Sequence, residues 1–351
     1  MSGIVGTNSG RGSGSIGAAA AGPTVSSSDP TVSTNADLGT QWANSTSGEF
    51  YILTDSTADS NVWTNVGSGS GNIEPIFYQG SSYGYTFAGS VNVICRFSLT
   101  SQADASDVGD LTGAYSASSG GKSSTKGFSQ GSDGSPVSTQ IDTFSFSSSA
   151  NATDHGDLTS SGYGQGAASM STHIYCAAGY GRTNVIDKCA TSSSSNSTDV
   201  GDLTNAVWYL GGNSSKTYGY ISAGHPANNV IQKWAFASDG NATDVGDLPT
   251  SRSHTMANSS ETYGYSAGGY PSNNQIEKWA FASDGNGTDV GDLVETNDMA
   301  GGVSATDYGY FCGGRNTSNR IQRHSYSSDG NGADWADMTV SKSGQPAGTQ
   351  E

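Results

Sequence analysis

A five-residue motif, Asp-x-Gly-Asp-Leu, returns at a nearly constant interval through most of this 351-residue chain. Its six copies are separated by 47, 45, 45, 45 and 45 residues, and the last carries Ala and Met at the Gly and Leu positions. A fixed period of about 40–50 residues is typical of propellers and solenoids, in which each repeat is one supersecondary unit. The copies begin at Asp107, Asp154, Asp199, Asp244, Asp289 and Asp334.

Other positions keep the same interval. An isoleucine recurs in every unit, and an aromatic residue stands three positions after it in most units, as in Ile231 and Trp234. Each unit contains four short segments, exemplified by "PTSRSHTMA", "TYGYSAGG", "NQIEKWAFA" and "TDVGDL". Because these segments are short, rich in aromatic and β-branched residues and bounded by turn residues, they predict four strands per unit. No window keeps a 3.6-residue apolar period, so we expect an all-β fold.

Composition limits the classes of partner. The chain has 50 glycines and only 33% hydrophobic residues, but its 17 Tyr, 10 Phe and 6 Trp argue against disorder. The formal net charge of −17 repels nucleic acid and anionic membranes. No segment has the apolar length of a membrane span, and because the first residues combine no basic leader with an apolar core, we expect no secretory signal there. We therefore expect no nucleic-acid partner and no membrane insertion.

The four cysteines have no CxxC spacing, which argues against a structural zinc site. Cys176 and Cys189 could face each other across one hairpin. Two buried thiols without a disulfide are the favoured interpretation.

The Asp-rich stretch "DGNATDVGD" raises the question of a metal site. Asp239, Asn241, Asp244 and Asp247 offer oxygen ligands, and Ca²⁺ takes six to eight of these. However, the EF-hand order is not met and no Glu closes the loop, whereas an Asp-Gly pair suits a tight hairpin turn. We expect a turn, no metal and no cofactor. The histidines stand at different repeat positions without a catalytic spacing, so we expect no enzymatic activity: His155, His173, His225, His254 and His324.

These units resemble the kelch family of β-propellers over roughly residues 80–350. Gly268-Gly269 and Gly313-Gly314 match the family's glycine pair, and Trp335 matches its fourth-strand Trp, whereas Val245 departs from it. The resemblance implies a kelch-like β-propeller, and the number of repeat units predicts six blades. The C-terminal "MTVSKSGQPAGTQ" aligns with a first strand that has no second strand after it. We expect it to complete the N-terminal blade, because closure removes exposed edges. The alternative is that "NIEPIFYQG" supplies that strand.

The remaining sequence gives a domain plan. Residues 1–35 predict an extended Gly/Ser-rich arm, residues 36–72 a small β-hairpin docking segment, and residues 73–351 the propeller. The loops after the second strand of each unit differ most between units, and they carry the aromatic and amide groups that sugars bind. The predicted glycan- or partner-binding residues are His225, Asn228, Asn229, Tyr270, Asn273, Asn274, Arg315 and Asn316.

The opening "MSGIVGTNSGRGSGSIG" is similar to the N-termini of structural proteins of marine tailed bacteriophages. This resemblance implies a non-enzymatic virion protein, made in the host cytoplasm, that either attaches to host-surface glycan or decorates the capsid or tail. Its expected partners are other virion proteins and further copies of itself on the particle. The alternative is an extracellular kelch-like carbohydrate-binding module or enzyme of a marine bacterium. The predicted docking residues are Ile4, Val5, Arg11 and Ile16.

Overall fold

The computed structural model describes residues 22–67, 69, 72–73, 76–133, 137–181, 184–315 and 318–351. Over these residues the protein is all-β and has no helices, as the sequence predicts, and its 28 strands form seven four-stranded sheets. Within the described part of the chain, no helix has the length and apolar character needed to cross a membrane. The chain divides into two compact units, Met1–Pro75 and Ile76–Glu351.

The first unit contains one sheet, the N-terminal sheet, with the strand order β1-β2-β3-β4. Its strands are β1 (Thr24–Ser26), β2 (Gln41–Asn44), β3 (Phe50–Asp55) and β4 (Val62–Asn65). The β1–β2 pairing is parallel, and the other two pairings are antiparallel. Tyr51, Leu53 and Trp63 are buried on one face and form its core. Where the sequence predicted a hairpin, the structure therefore has a larger sheet that begins inside the predicted arm.

The second unit contains six sheets, named I to VI here. Sheet I has β5 (Tyr83–Ala88), β6 (Val91–Ser98), β7 (Ser106–Tyr115) and the C-terminal strand β28 (Pro346–Gln350). Sheet II has β8 (Ser119–Lys122), β9 (Lys126–Ser132), β10 (Ser138–Ser145) and β11 (Thr153–Asp157). Sheet III has β12 (Gly166–Ser169), β13 (His173–Ala177), β14 (Val185–Ala190) and β15 (Thr198–Asp202).

The last three sheets repeat this plan. Sheet IV has β16 (Gly211–Ser214), β17 (Tyr218–Ser222), β18 (Asn228–Ala235) and β19 (Thr243–Arg252). Sheet V has β20 (Met256–Ser259), β21 (Tyr263–Ala267), β22 (Gln275–Ala280) and β23 (Thr288–Asp292). Sheet VI has β24 (Gly301–Ser304), β25 (Tyr308–Cys312), β26 (Arg320–Ser325) and β27 (Ala333–Asp337). All pairings in these sheets are antiparallel, which fits a β-propeller-like fold.

The seven sheets differ from the six blades that the repeat predicts. The additional sheet is the N-terminal one, which lies outside the repeat and includes the three-residue β1 and the four-residue β2. Strands this short show too little apolar alternation to be recognised in a sequence. In sheet I, β28 pairs with β5 from Pro346 opposite Ala88 to Gln350 opposite Gly84. The first strand of sheet I therefore comes from the end of the chain, as predicted.

The first strands of the six sheets pack against one another through small residues. A Cβ on Gly212 would collide with the carbonyl oxygen of Ala167, and one on Gly302 would collide with that of Ala257. Hydroxyl groups connect the same strands, because the backbone N–H of Ser169 donates to Ser214 Oγ at 2.9 Å. The N–H of Ser214 donates to Ser259 Oγ, and that of Ser259 to Ser304 Oγ. These contacts explain why Gly, Ala and Ser dominate the first strands.

Aromatic residues join neighbouring sheets further out. The central tyrosine of sheet III, Tyr175, stacks on Phe236 of sheet IV with ring centroids 4.9 Å apart. Tyr220 and Phe281 repeat this contact one sheet later, also at 4.9 Å. These tyrosines are fully buried. Aromatic pairs of this kind contribute about 0.5–1.5 kcal/mol each beyond their buried area.

In sheets IV, V and VI, an Asp-Gly-Asn segment connects the sheet to the fourth strand of the preceding sheet. Gly240 N–H donates to Val200 O at 2.8 Å, and Ala242 N–H donates to Asp202 O at 2.7 Å. In return, the backbone N–H of Asp202 donates to Asn241 Oδ1 at 3.1 Å. We call this arrangement the latch. It covers the exposed edge of a fourth strand, which is otherwise open to association with other chains.

The latch also explains two features of the repeat. Asp239 and Gly240 have positive φ angles of 54° and 105°, which is the turn conformation predicted for the Asp-Gly pair. Lys188 of sheet III forms an ion pair with Asp239 of sheet IV at 3.0 Å. The same latch joins sheet I to sheet VI, because Ala105 N–H donates to Asp337 O at 2.8 Å. The many Asp and Gly residues of the repeat therefore serve to connect neighbouring sheets.

Candidate functional site

The segments that lead into the first strands of sheets II to VI and I form a collar on one side of the second unit. Each contributes a residue with positive φ, and in five of the six this residue is not glycine. Left-handed backbone at such residues costs on the order of 1–3 kcal/mol and is found preferentially at functional sites. The collar residues are Ala117 (φ 51°), Gly164 (67°), Tyr209 (55°), His254 (60°), Met299 (59°) and Gln345 (49°).

Backbone hydrogen bonds between sheets hold the collar in this conformation. Tyr209 N–H donates to Gly164 O at 2.6 Å, and His254 N–H donates to Tyr209 O at 2.7 Å. Met299 N–H donates to His254 O at 3.1 Å. The collar therefore fixes the directions of the Tyr209 and His254 side chains, because each backbone is bonded to the sheet before it.

The loops that follow the second strands lie beside the collar segments. Isolated bridges pair Tyr163 with Tyr180 in sheet III, and Trp208 with His225 in sheet IV. A third bridge pairs Ser253 with Tyr270 in sheet V. Because each bridge joins a residue before the first strand to one after the second strand, two segments distant in sequence present their side chains on the same side.

These segments bring seven rings together in what we call the aromatic arc. The arc consists of Tyr163, Tyr180, Trp208, Tyr209, His225, His254 and Tyr270. Ring centroids of neighbouring members are 4.1 to 6.0 Å apart, and the shortest distance is the stacked contact of Tyr209 with His254. Tyr180 and Tyr270 are 50% and 52% exposed, so the arc presents aromatic surface to solvent at two separate positions.

A cavity of about 190 Å³ lies beside Tyr270, at the end of the arc nearest sheet VI. Arg315 forms one of its walls and lies over the Tyr270 ring, with the guanidinium carbon 5.6 Å from the ring centroid. The guanidinium Nε is 2.9 Å from Asp298 Oδ1. Burial raises the pKa of Asp298, and the charge of Arg315 opposes that shift. The cavity therefore combines an aromatic face with a paired carboxylate and guanidinium.

The collar rings are uncharged at neutral pH. Burial, with smaller contributions from Arg315 and His225, lowers the pKa of His254 to about 4. Burial also raises the pKa of Tyr209 to about 12. The Nδ1 atom of His254 lies 2.8 Å from Ser253 Oγ, which holds the ring in place. Tyr209 and His254 therefore form a neutral, stacked pair in the middle part of the arc.

A buried ion pair supports the loop that carries Tyr270. Arg252 Nη2 lies 2.6 Å from Glu277 Oε2, and both side chains are at most 1% exposed. The second terminal nitrogen of the Arg252 guanidinium, Nη1, donates to Asn273 Oδ1 at 3.2 Å. In sheet IV the position equivalent to Glu277 is Gln232, whose Oε1 accepts the backbone N–H of Thr204. Pro249 stands at the equivalent of Thr204 and has no backbone N–H to donate to the side chain of Glu277. Arg252 therefore supplies the hydrogen-bond donor for Glu277.

The structure separates the predicted loop residues into two groups. His225, Tyr270 and Arg315 lie together in the arc and its cavity. The asparagines instead stabilise the turns through hydrogen bonds to the backbone. Asn228 Nδ2 donates to Gly224 O, and Asn229 Nδ2 donates to Leu248 O. Asn273 Oδ1 accepts the backbone N–H of Gln275 at 2.7 Å. Asn274 is half-buried beside this turn, and its backbone oxygen accepts the N–H of Leu293.

Five predicted residues fall outside the described part of the chain. They are Asn316 and the docking residues Ile4, Val5, Arg11 and Ile16.

Four members of the arc were not predicted as site residues: Tyr163, Tyr180, Trp208 and Tyr209. His254 was considered only for catalysis. In sheet V the sequence predicted a first strand over "PTSRSHTMA", whereas the strand is β20, Met256–Ser259, and His254 precedes it in the collar. The occurrence of Tyr209 and His254 at one repeat position, 45 residues apart, is the signal that could have identified them.

The five histidines have different environments. His225 and His254 lie in the arc, whereas His324 is buried between sheets against Phe311, with ring centroids 5.5 Å apart. His155 Nε2 lies 2.8 Å from Ala190 O. Across the described ranges, no three His, Cys, Asp or Glu side chains are grouped so that they could hold a metal ion. The carboxylates of the Asp-rich stretch lie in and around the latch.

The arc as a whole is suited to recognition of flat, weakly polar faces. Aromatic rings with exposed faces bind apolar faces of ligands, while the Asp298 and Arg315 groups can exchange hydrogen bonds with hydroxyls. The chain matches no protein-family model and no curated protein.

Proposed function

We propose that the protein is a non-enzymatic attachment protein of a tailed-phage particle, and that the aromatic arc binds carbohydrate on a host surface. The continuous run of rings from Tyr180 to Tyr270 supports this proposal. Sugar rings have one apolar face of C–H groups, which packs on an aromatic face, and a rim of hydroxyls, which pairs with carboxylate and guanidinium groups. The arc and the adjacent Asp298–Arg315 pair provide both.

The proposed architecture of the second unit is a six-bladed, kelch-like propeller closed by its C-terminal strand. Two contacts support closure, namely the pairing of β28 with β5 and the latch between Ala105 and Asp337. Class averages of the purified protein by electron microscopy test this directly. Six sectors around an axis are expected, and any other number contradicts the proposal.

The proposed role of the N-terminal segment is attachment to other capsid or tail proteins, with several copies of the chain on each particle. The similarity of "MSGIVGTNSGRGSGSIG" to N-termini of phage structural proteins supports this role. Immunogold labelling and mass spectrometry of purified particles test it. Labelling of capsid or tail is expected, and absence of the protein from particles contradicts the proposal.

Carbohydrate binding is tested with the full chain on a glycan microarray that includes bacterial surface polysaccharides. We expect binding that falls when Trp208 is replaced by Ala, because Trp208 contacts both Tyr180 and His225 in the arc. Wild-type protein that binds no glycan, or binding that is unchanged in Trp208→Ala, contradicts the proposal.

A further inference from the structure

We infer that the arc binds an uncharged oligosaccharide of several sugar rings, rather than a single sugar or an anionic polysaccharide. This inference rests on the proposed carbohydrate-binding function. It specifies the length and the charge of the ligand, which the proposed function leaves open.

The inferred length of the ligand follows from the positions of the exposed rings. Tyr180 belongs to sheet III and Tyr270 to sheet V, and a path through Tyr163, Tyr209 and His254 connects them. No step of this path exceeds 6.0 Å between ring centroids. Because one sugar ring covers about one aromatic ring, a monosaccharide can contact only one of the two exposed tyrosines. A ligand that contacts both exposed tyrosines must contain several linked rings.

The inferred neutrality of the ligand follows from the charged groups around the arc. Among the described residues, Arg315 is the arginine whose guanidinium lies over an arc ring, and this guanidinium is already paired with Asp298. The pair is therefore neutral as a unit. An anionic sugar that approaches Arg315 also approaches the carboxylate of Asp298, and repulsion from this carboxylate offsets the attraction of the guanidinium.

Further negative charge lies near Tyr163 and Tyr209, in the middle of the arc. Asp133 is exposed, and Ser116 Oγ donates a hydrogen bond to its carboxylate. Its charge adds to burial in raising the pKa of both Tyr163 and Tyr209. The chain as a whole carries a formal charge of −17. An anionic ligand would be repelled from the arc, whereas a neutral one would not.

The cavity at Tyr270 suits the last sugar of such a chain. It is bounded by Tyr270, Asp298 and Arg315, and its volume of about 190 Å³ accommodates one ring rather than several. The carboxylate of Asp298 accepts hydrogen bonds from hydroxyls, and the guanidinium of Arg315 donates them. The remaining sugars would then extend along the rings toward Tyr180.

The test is isothermal titration calorimetry of the full-length protein with oligosaccharides of defined charge and length. The neutral probes are maltotetraose, cellotetraose, mannotetraose and chitotetraose, each with its monosaccharide. The anionic probes are tetragalacturonate and tetramannuronate. We expect a neutral tetrasaccharide to bind at least about tenfold more tightly than its monosaccharide, equivalent to one additional stacking contact. Its affinity should change less than about twofold between about 50 and 500 mM NaCl, because no charges are screened.

Variants at the two exposed tyrosines separate a chain ligand from a single-sugar ligand. Tyr180→Ala and Tyr270→Ala should each weaken tetrasaccharide binding about tenfold, while Tyr180→Phe and Tyr270→Phe retain it. Tyr83→Ala is the matched control, because Tyr83 is also exposed and lies under the guanidinium of Arg96. Tyr83 begins β5, whereas the arc residues Tyr180, His225 and Tyr270 lie in loops that follow the ends of second strands. This control should bind as the wild type does.

Each remaining outcome has a definite meaning. Preferential binding of an anionic probe, with affinity that falls steeply as salt rises, overturns the inference and leaves the proposed function intact. Equal affinity for a monosaccharide and its tetramer, or an effect of only one of the two Tyr→Ala changes, overturns the inferred length. Absence of binding to every probe contradicts both the inference and the proposed function.

Discussion

The side chain of Asn241 accepts a hydrogen bond from the backbone N–H of Asp202, which belongs to the neighbouring sheet. The two residues lie 39 positions apart in the chain, and the same pairing recurs for Asn286 with Asp247 and Asn331 with Asp292. The Asp-Gly-Asn turn and the Asp-x-Gly-Asp strand are therefore two halves of one contact. Their joint recurrence in the sequence reflects the requirement that every sheet must connect to the next.

We predict that Gly246→Ala strongly destabilises the protein. Gly246 has a φ of 154°, and an added Cβ would collide with the carbonyl oxygen of Gly285 in the latch of the next sheet. The expected loss is about 2–4 kcal/mol in the free energy of unfolding, measured by urea denaturation. Gly287→Ala is the matched control, because Ala242 already occupies the equivalent position in sheet IV. Equal losses in both variants would show that the latch does not exclude a side chain.

We predict that Glu277→Gln destabilises the protein by about 3–5 kcal/mol, because it leaves the buried guanidinium of Arg252 without a counter-charge. The triple variant Pro249→Thr, Arg252→Val, Glu277→Gln reproduces Thr204, Val207 and Gln232 of sheet IV. It should recover most of the loss, since its Thr supplies the backbone N–H that Gln232 binds in sheet IV. Urea denaturation of both variants measures the difference. A triple variant less stable than Glu277→Gln would contradict this account.

We predict that protonation of His324 contributes to acid destabilisation. Burial lowers the pKa of this residue to about 3, from 6.5. Below pH 6.5 the unfolded chain binds a proton that the folded chain does not, so stability falls with pH until about pH 3. From about pH 7 to about pH 5 the expected contribution is up to about 2 kcal/mol.

The matched variant is His324→Phe, because Phe97 and Phe144 occupy the equivalent position in sheets I and II. Urea denaturation at both pH values should show a smaller loss of stability in the variant than in the wild type. Identical losses would assign the acid sensitivity to other groups.

We predict that the four cysteines do not react in the folded protein. All four are buried and none forms a disulfide, which for Cys176 and Cys189 is the state that the sequence favoured. Burial raises the pKa of Cys312 and of Cys189, which keeps the unreactive thiol form. Ellman's reagent should detect no thiol in the native state and all four in concentrated guanidinium, without prior reduction. Rapid reaction of the native protein would contradict the buried placement.

The regular parts of the fold were predictable because each unit repeats the same local signals. The Asp-Gly turn, the four segments and the return of the C-terminal strand to sheet I all follow from the motif and its period. The N-terminal sheet was predictable only in part, since β1 and β2 are too short to show a pattern.

The candidate site was less predictable. Sequence identified His225, Tyr270 and Arg315 because their loops vary between units. It did not identify Tyr209 and His254, because their segment resembles the start of a strand and only the collar hydrogen bonds give them positive φ.

The sequence by itself determined the strand content, the positions of the turns and the interval between sheets, because these depend on residues close together in the chain. The tertiary structure decided what the repeated polar residues contact and which rings form one surface. Tyr163 and Tyr270 are more than 100 positions apart in the sequence. Their place in one arc depends on how successive sheets are set against each other through the collar and the latch, and packing between sheets is a property that no single repeat encodes.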